Sequence, residues 1–208
     1  SDMELVYYDA KDAGGSAVEY YDTATVVSNN GAVALDRSVY PVPWTAGELR
    51  TGAGTASVNT EAGDVTAWIT VSDPDETNDT LTTGSTTAAG TILIKHTNST
   101  GSQAIASAGS INARDAGVSD GKAELGPLSE VVIGSSDFEV SLTVSETMTY
   151  GGLDGAGAAE AGGTVTIQAG DVLTVEYVDT ADSAGSTSTF YDSATFDLRT
   201  GTLSVDKD

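Results

Sequence analysis

The stretch Val175–Phe196, VEYVDTADSAGSTSTFYDSATF, decides how the rest of the chain is read. It alternates apolar and polar residues, breaks at an acidic Gly/Ser turn and alternates again, the pattern of a β-hairpin. The chain opens with nearly the same text, LVYYDAKDAGGSAVEYYDTATV, over Leu5–Val26. Sliding the N-terminus by 170 positions, without a gap, aligns Tyr7, Asp9, Asp12, Gly15, Ser16, Tyr21, Asp22, Ala24, Thr25, Gly31 and Asp36 with identical residues. Their counterparts are Tyr177, Asp179, Asp182, Gly185, Ser186, Tyr191, Asp192, Ala194, Thr195, Gly201 and Asp206. Identities this dense over one patterned stretch indicate an internal repeat.

Period-two alternation continues elsewhere. VTAWITV (Val65–Val71), TILIKH (Thr91–His96), FEVSLTV (Phe138–Val144), TVTIQ (Thr164–Gln168), LTVEYV (Leu173–Val178) and TLSV (Thr202–Val205) all read as strands. Turn-rich clusters such as SDPDETND, GGLDGAGAAEAGG and ADSAG separate them. No apolar stripe of helical period is long enough to name a helix. Short strands with Gly-rich turns predict an all-β immunoglobulin-like β-sandwich with Gly/Ala-rich loops. GAVALDRSVYPVP is its first strand, with Pro41 and Pro43 suited to a sheet edge. VTAWITV is its second, with Trp68 expected to face the core. TILIKH, FEVSLTV, VLTVEYV and TFYDSATF follow as the third, fifth, sixth and seventh, and residues 102–133 supply edge strands and excursions.

On this layout residues 31–200 form one sandwich. Residues 1–30 are a hairpin repeating the sandwich's last one, from or for a neighbouring domain or subunit. Residues 201–208 begin a following strand or linker. The first hairpin carries Leu5, Tyr7, Val18 and Tyr20 at alternate positions, a face costly to leave in water. Residues 1–28 are therefore expected to find their main apolar contacts on a neighbouring domain or subunit.

Composition narrows the function. The 208 residues hold 31 acids against eight basic residues, a net charge of −23. Such a field repels nucleic acid and anionic membrane surfaces and attracts cations, so nucleic-acid binding is set aside. The absence of cysteine removes disulfides, thiolate catalysis and Cys-ligated zinc. No signal-peptide pattern and no apolar run long enough to span a bilayer is seen, so the sequence reads as a mature or excised segment. His96, the single histidine, reads as a surface or half-buried residue rather than a general base. Paired carboxylates abound, but among 31 acids some pairs arise by chance, and no Lys-Ser/Thr follows the Gly runs to make a phosphate loop, so a non-enzymatic role is expected. Two sequons, at Asn78 and Asn98, are candidate glycosylation sites if the protein is exported.

The acidic turns are the candidate metal sites. Asp73, Asp75, Glu76, Asn78 and Asp79 fall within seven residues, and Asp179 and Asp182 flank the last hairpin turn. In an immunoglobulin-like sandwich these two loops share a pole, so their oxygens can converge. Ca²⁺ takes about six to eight oxygen ligands in irregular geometry, which clustered Asp and Asn can supply. The competing reading is that Asp and Asn are good turn residues that bond their own backbone. Asp9 and Asp12 repeat the same turn and share both readings. Asp22 and Asp192 either accept hydrogen bonds from a neighbouring turn or hold metal at a domain joint.

Five blocks carry a family resemblance: DRSVYPVPW (Asp36–Trp44), VSDPDETND (Val71–Asp79), LGPLSEV (Leu125–Val131), GDVLTVEYVDTADSAG (Gly170–Gly185) and YDSATFDLRTGTLSVDKD (Tyr191–Asp208). In this order they resemble the immunoglobulin-like domain region of surface-layer proteins of ammonia-oxidising archaea. The resemblance implies an acidic, extracellular, structural protein of the cell surface that self-associates into a porous lattice. It also implies binding of divalent cations and attraction of monovalent ones such as ammonium. Alternatives are an extracellular adhesin or carbohydrate-binding β-sandwich module, and a tube- or filament-forming subunit that shares strands between chains.

Overall fold

A computed structural model describes residues 2–25, 27–43, 63–76, 80–81, 92–109, 123–151 and 162–198. These residues fold as strands and turns, and among them no helix is long and apolar enough to cross a membrane. An isolated hairpin comes first, β1 (Asp2–Asp9) and β2 (Val18–Thr25). The sandwich begins with β3 (Ala32–Leu35) and β4 (Val39–Pro41) and continues with β5 (Val65–Ser72), β6 (Thr80–Leu81), β7 (Ile92–Asn98) and β8 (Gly101–Ala108). It then runs through β9 (Ala123–Glu124), β10 (Leu128–Glu130), β11 (Asp137–Val144), β12 (Thr147–Tyr150), β13 (Gly163–Thr166), β14 (Val172–Asp179) and β15 (Ser188–Asp197).

One sheet has the order β3-β5-β11-β10-β6, the other β4-β15-β14-β7-β8-β9, and β12–β13 form a separate ribbon. This is the immunoglobulin-like arrangement: the first strand is split between sheets, and the last hairpin lies beside the third strand. The split occurs at Asp36. β3 pairs antiparallel with β5, and three residues later β4 pairs parallel with β15 in the opposite sheet. Asp36 Oδ1 accepts from Trp68 N and from the Tyr40 hydroxyl, and Asp36 N donates to Trp68 O, which pins the crossing. Pro41 lies on the edge strand β4, where its missing donor costs no ladder bond.

The core follows the alternation. Val65, Ala67, Ile69 and Val71 of β5 are buried, as are Phe138, Leu142 and Val144 of β11 across the same sheet. They face Ile92 and Ile94 of β7, Leu173, Val175 and Tyr177 of β14, and Ala194 and Phe196 of β15. A bulge at Ile94/Lys95 shifts the β7–β8 register, and Ala104 to Ala108 are buried in succession where the β12 ribbon approaches β8.

Two expectations are corrected. Trp68 does not face the core. It is 46% exposed, because the apolar set of β5 occupies the odd positions and Trp68 shares the outer face with Thr66 and Thr70. His96 is not at the surface. It falls in phase with Ile92 and Ile94, is fully buried, and its Nε2 lies 2.7 Å from Asp171 Oδ2. The same oxygen accepts from Gln168 N, so the pair ties β7 to the turn that starts β14.

Candidate functional site

The two hairpins of the repeat match strand for strand. Asp2 faces Thr25 and Asp9 faces Val18, while 170 positions later Val172 faces Thr195 and Asp179 faces Ser188. Both turns close with the same two bonds: Asp12 N to Ser16 O and Gly15 N to Asp12 O in the first, Asp182 N to Ser186 O and Gly185 N to Asp182 O in the second. Gly15 and Gly185 both take positive φ, 82° and 71°, which explains why glycine stands at that place twice. Local sequence therefore builds the same object at each end of the chain.

What surrounds the two objects differs. The second hairpin is locked into the sandwich at a joint formed by Asn29–Asp36. Gly31 N donates to Asp179 Oδ2 at 2.8 Å, and Leu35 N donates to Asp192 Oδ2 at 2.7 Å. Asn30 Oδ1 accepts from Ser183 N in the hairpin turn. Gly31 lies so close that a Cβ there would sit 2.6 Å from Tyr177 Cε1. The Tyr177 hydroxyl donates to Asp73 Oδ2 at 2.5 Å, and burial with the nearby Asp73 carboxylate holds its pKa above the ordinary value. Asp75 completes the joint by accepting from both the amide and the side chain of Asn29.

The acidic turns thus do converge at one pole, and the structure places most of their oxygens on protein donors. Asp73 also accepts from Asp75 N, and Asp179 from Ala181 N. Asp182 accepts from Ser188 Oγ, Ser186 N and Ala184 N, bonds that lower its pKa. Asp9 accepts from Lys11 N and Asp12 from Ser16 N. Glu76 is held above its ordinary pKa, first by burial and then by the charges of Asp73, Asp75 and Asp179. Asn78 and Asp79 lie outside the described residues. Among the described residues, no group of three or more His, Asp or Glu is arranged to hold a metal ion. Asp192 takes the hydrogen-bonding role, on an amide of β3 rather than of a turn.

The first hairpin lacks such surroundings. Met3, Leu5 and Tyr7 occupy the positions of the buried Leu173, Val175 and Tyr177, yet Leu5 is 68% and Tyr7 62% exposed. Tyr7 and Tyr20 stack on each other with ring centroids 6.3 Å apart, the one shelter the face provides for itself among the described residues. The other face is apolar too, with Val6, Tyr8 and Tyr21 exposed.

A further site was not read from sequence. Trp68, Arg37, Pro41, Asp64 and Glu146 line an open cleft of about 910 Å³ on the sandwich flank. Its signal was available: Trp68 stands between Thr66 and Thr70, out of phase with the apolar residues of β5. No protein-family model matches the chain, and no curated protein matches it.

Proposed function

We propose that this protein is a non-catalytic structural subunit of the cell surface that self-assembles through its immunoglobulin-like sandwich and N-terminal hairpin into a lattice or extracellular polymer. The observation that carries the reading is the repeat. A hairpin whose counterpart needs a joint and a partner sheet to bury its inner face stands here with that face in water. A two-stranded ribbon is marginal alone, and its free edges and apolar faces invite a second polypeptide. The surface-layer resemblance and the net charge of −23 support an extracellular setting in which cations moderate self-repulsion.

Calcium belongs to the same proposal. Asp73, Asp75, Glu76 and Asp179 concentrate negative charge at one pole, and after burial the charges of the other three add to the raised pKa of Glu76. A divalent cation there would relieve that crowding of charge, with Asn78 and Asp79, next along the sequence, as further oxygen donors. Electron microscopy and sedimentation of the purified chain, with millimolar Ca²⁺ and with chelator, test the reading. Ordered assemblies that depend on Ca²⁺ are expected. A chain that stays monomeric in both conditions, at every concentration, refutes it.

The exposed Trp68 in its cleft favours one second reading, a carbohydrate-binding module. An indole face flanked by Arg37 and Glu146 is suited to stacking on a sugar ring while charged groups bond its hydroxyls. Saturable binding to a glycan panel, abolished by Trp68→Ala, would establish it.

A further inference from the structure

We infer that the N-terminal hairpin is a receptor for residues 201–206 of a second copy of this chain, which dock across its inner face as β3 crosses the second hairpin. The inference rests on the self-assembly reading above and names the segment that drives it.

The joint seen within the sandwich supplies the template. There the crossing strand is GAVALD, Gly31–Asp36, and the same offset of 170 brings GTLSVD, Gly201–Asp206, to the matching place after the second hairpin. Val33 and Leu35 point inward while Ala32 and Ala34 point out. Leu203 and Val205 fall in the same phase, with Thr202 and Ser204 between them. The identities between the repeats include the residues that make this joint: tyrosine and aspartate on the first strand of the hairpin, aspartate on the second, glycine and aspartate on the crossing strand.

The receiving side is already formed. In the second hairpin each aspartate divides its work: Oδ1 of Asp179 takes its own turn amide from Ala181, and Oδ1 of Asp192 takes that of Ser193. Oδ2 of each is left for the crossing strand, from Gly31 N and Leu35 N. In the first hairpin Asp9 Oδ1 takes Lys11 N and Asp22 Oδ1 takes Thr23 N, the same local bonds. Among the described residues nothing donates to Oδ2 of either. Docking would set Gly201 N on Asp9 and Val205 N on Asp22, with Gly201 against the Tyr7 ring as Gly31 lies against Tyr177.

Reach assigns the tail to a different copy. The linker to the first hairpin is held at the turn end of the second, where Asn30 meets Ser183. The chain leaves β15 at the opposite end, ten residues or about 33 Å away. Asp9 is at the distal end of its hairpin, and that hairpin, exposed on both faces, is not folded back against the sandwich toward the end of β15. The three residues from Leu198 to Gly201 span at most about 11 Å. The contact is therefore head to tail between copies, and repeats into a linear array where its rotation does not close a ring.

Complementation tests it on the full chain. Gly201→Val should remove the tail's fit on Tyr7, and Asp9→Ala with Asp22→Ala should remove the receiving acceptors. Each variant alone is expected to sediment as a monomer with the sandwich's melting transition unchanged. Mixed, the two should form a 1:1 dimer of twice the 21.0 kDa chain mass and nothing larger, since one good tail meets one good hairpin. A synthetic peptide of residues 199–208 should shorten wild-type assemblies, and its Gly201→Val form should not. Assemblies that survive Gly201→Val, a mixture that stays monomeric or polymerises, or two peptides of equal effect would overturn the inference while leaving self-assembly through another surface standing. A wild-type chain that never assembles overturns both.

Discussion

Gly31 and Tyr177, 146 positions apart in sequence, are in such close contact that no side chain fits between them: a Cβ on Gly31 would stand 2.6 Å from the ring and 3.3 Å from Asp179 Oδ2. The ring belongs to the hairpin that closes the sandwich, so the glycine sets how near the first strand approaches. Gly31→Ala is expected to destabilise the fold by about 1–3 kcal/mol through overpacking. Chemical denaturation measures it, and an unchanged midpoint would show that the joint yields more readily than a packed core does.

The Tyr177–Asp73 hydrogen bond links the last hairpin to the turn after β5, with the carboxylate buried. Tyr177→Phe leaves one Asp73 oxygen without its donor and should cost about 1–3 kcal/mol. A double-mutant cycle with Asp73→Asn should return a coupling energy well above zero. Additive losses would mean that the two side chains act independently.

Tyr40 and Tyr177 both have pKa values raised above the ordinary 10.0, first by burial and then by hydrogen bonds to Asp36 and Asp73. A raised folded-state value means that their stabilisation is complete below the unfolded value and declines as pH rises past it. Melting temperature should therefore fall above about pH 10, less steeply in Tyr177→Phe than in the wild type. Parallel curves for the two proteins would remove Tyr177 as a cause.

Two carboxylates shifted in opposite directions govern the acid side. Asp36 is lowered: burial pushes its pKa up, and bonds from Tyr40 and Trp68 N with the Arg37 charge outweigh it. Its contribution is present above the unfolded value and is lost as pH falls through the folded one. Glu76 is raised, so its contribution is present at low pH and is lost as pH rises through its folded value. Glu76→Gln should accordingly stabilise the protein at pH 7. Allowing for solvent screening, the gain is on the order of 0.5 kcal/mol, about 2 °C for a chain of this size. It should vanish near pH 3. With chelator present, a destabilised Glu76→Gln at neutral pH would show that the carboxylate is held by a protein donor instead.

Millimolar Ca²⁺ should raise the melting temperature more than NaCl at matched ionic strength, because a ligand bound only by the folded state stabilises it by mass action. Glu76→Gln should blunt that gain; Asp73, Asp75 and Asp179 are poor probes, since all three also hold the joint together. Equal shifts from the two salts would reduce the acidic pole to general screening.

Strand periodicity, turn chemistry and the 170-residue repeat were legible in the sequence because each is local. Alternation in β5, β7, β11, β14 and β15 names the strands, and Asp12, Gly15, Asp182 and Gly185 name the turns without reference to anything distant. Phase within a strand is legible as well: position rather than residue type sets Trp68 on the outer face and His96 in the core. Only tertiary structure decided what the aspartates do. Asp73, Asp179 and Asp192 look alike in sequence as turn formers or ion ligands. Donors 104 positions away for Asp73, 148 for Asp179 and 157 for Asp192 make them joint acceptors. The same holds for the two hairpins. Sequence gives them one shape, but burial depends on which surfaces a strand meets, and those surfaces come from parts of the chain that local pattern does not connect.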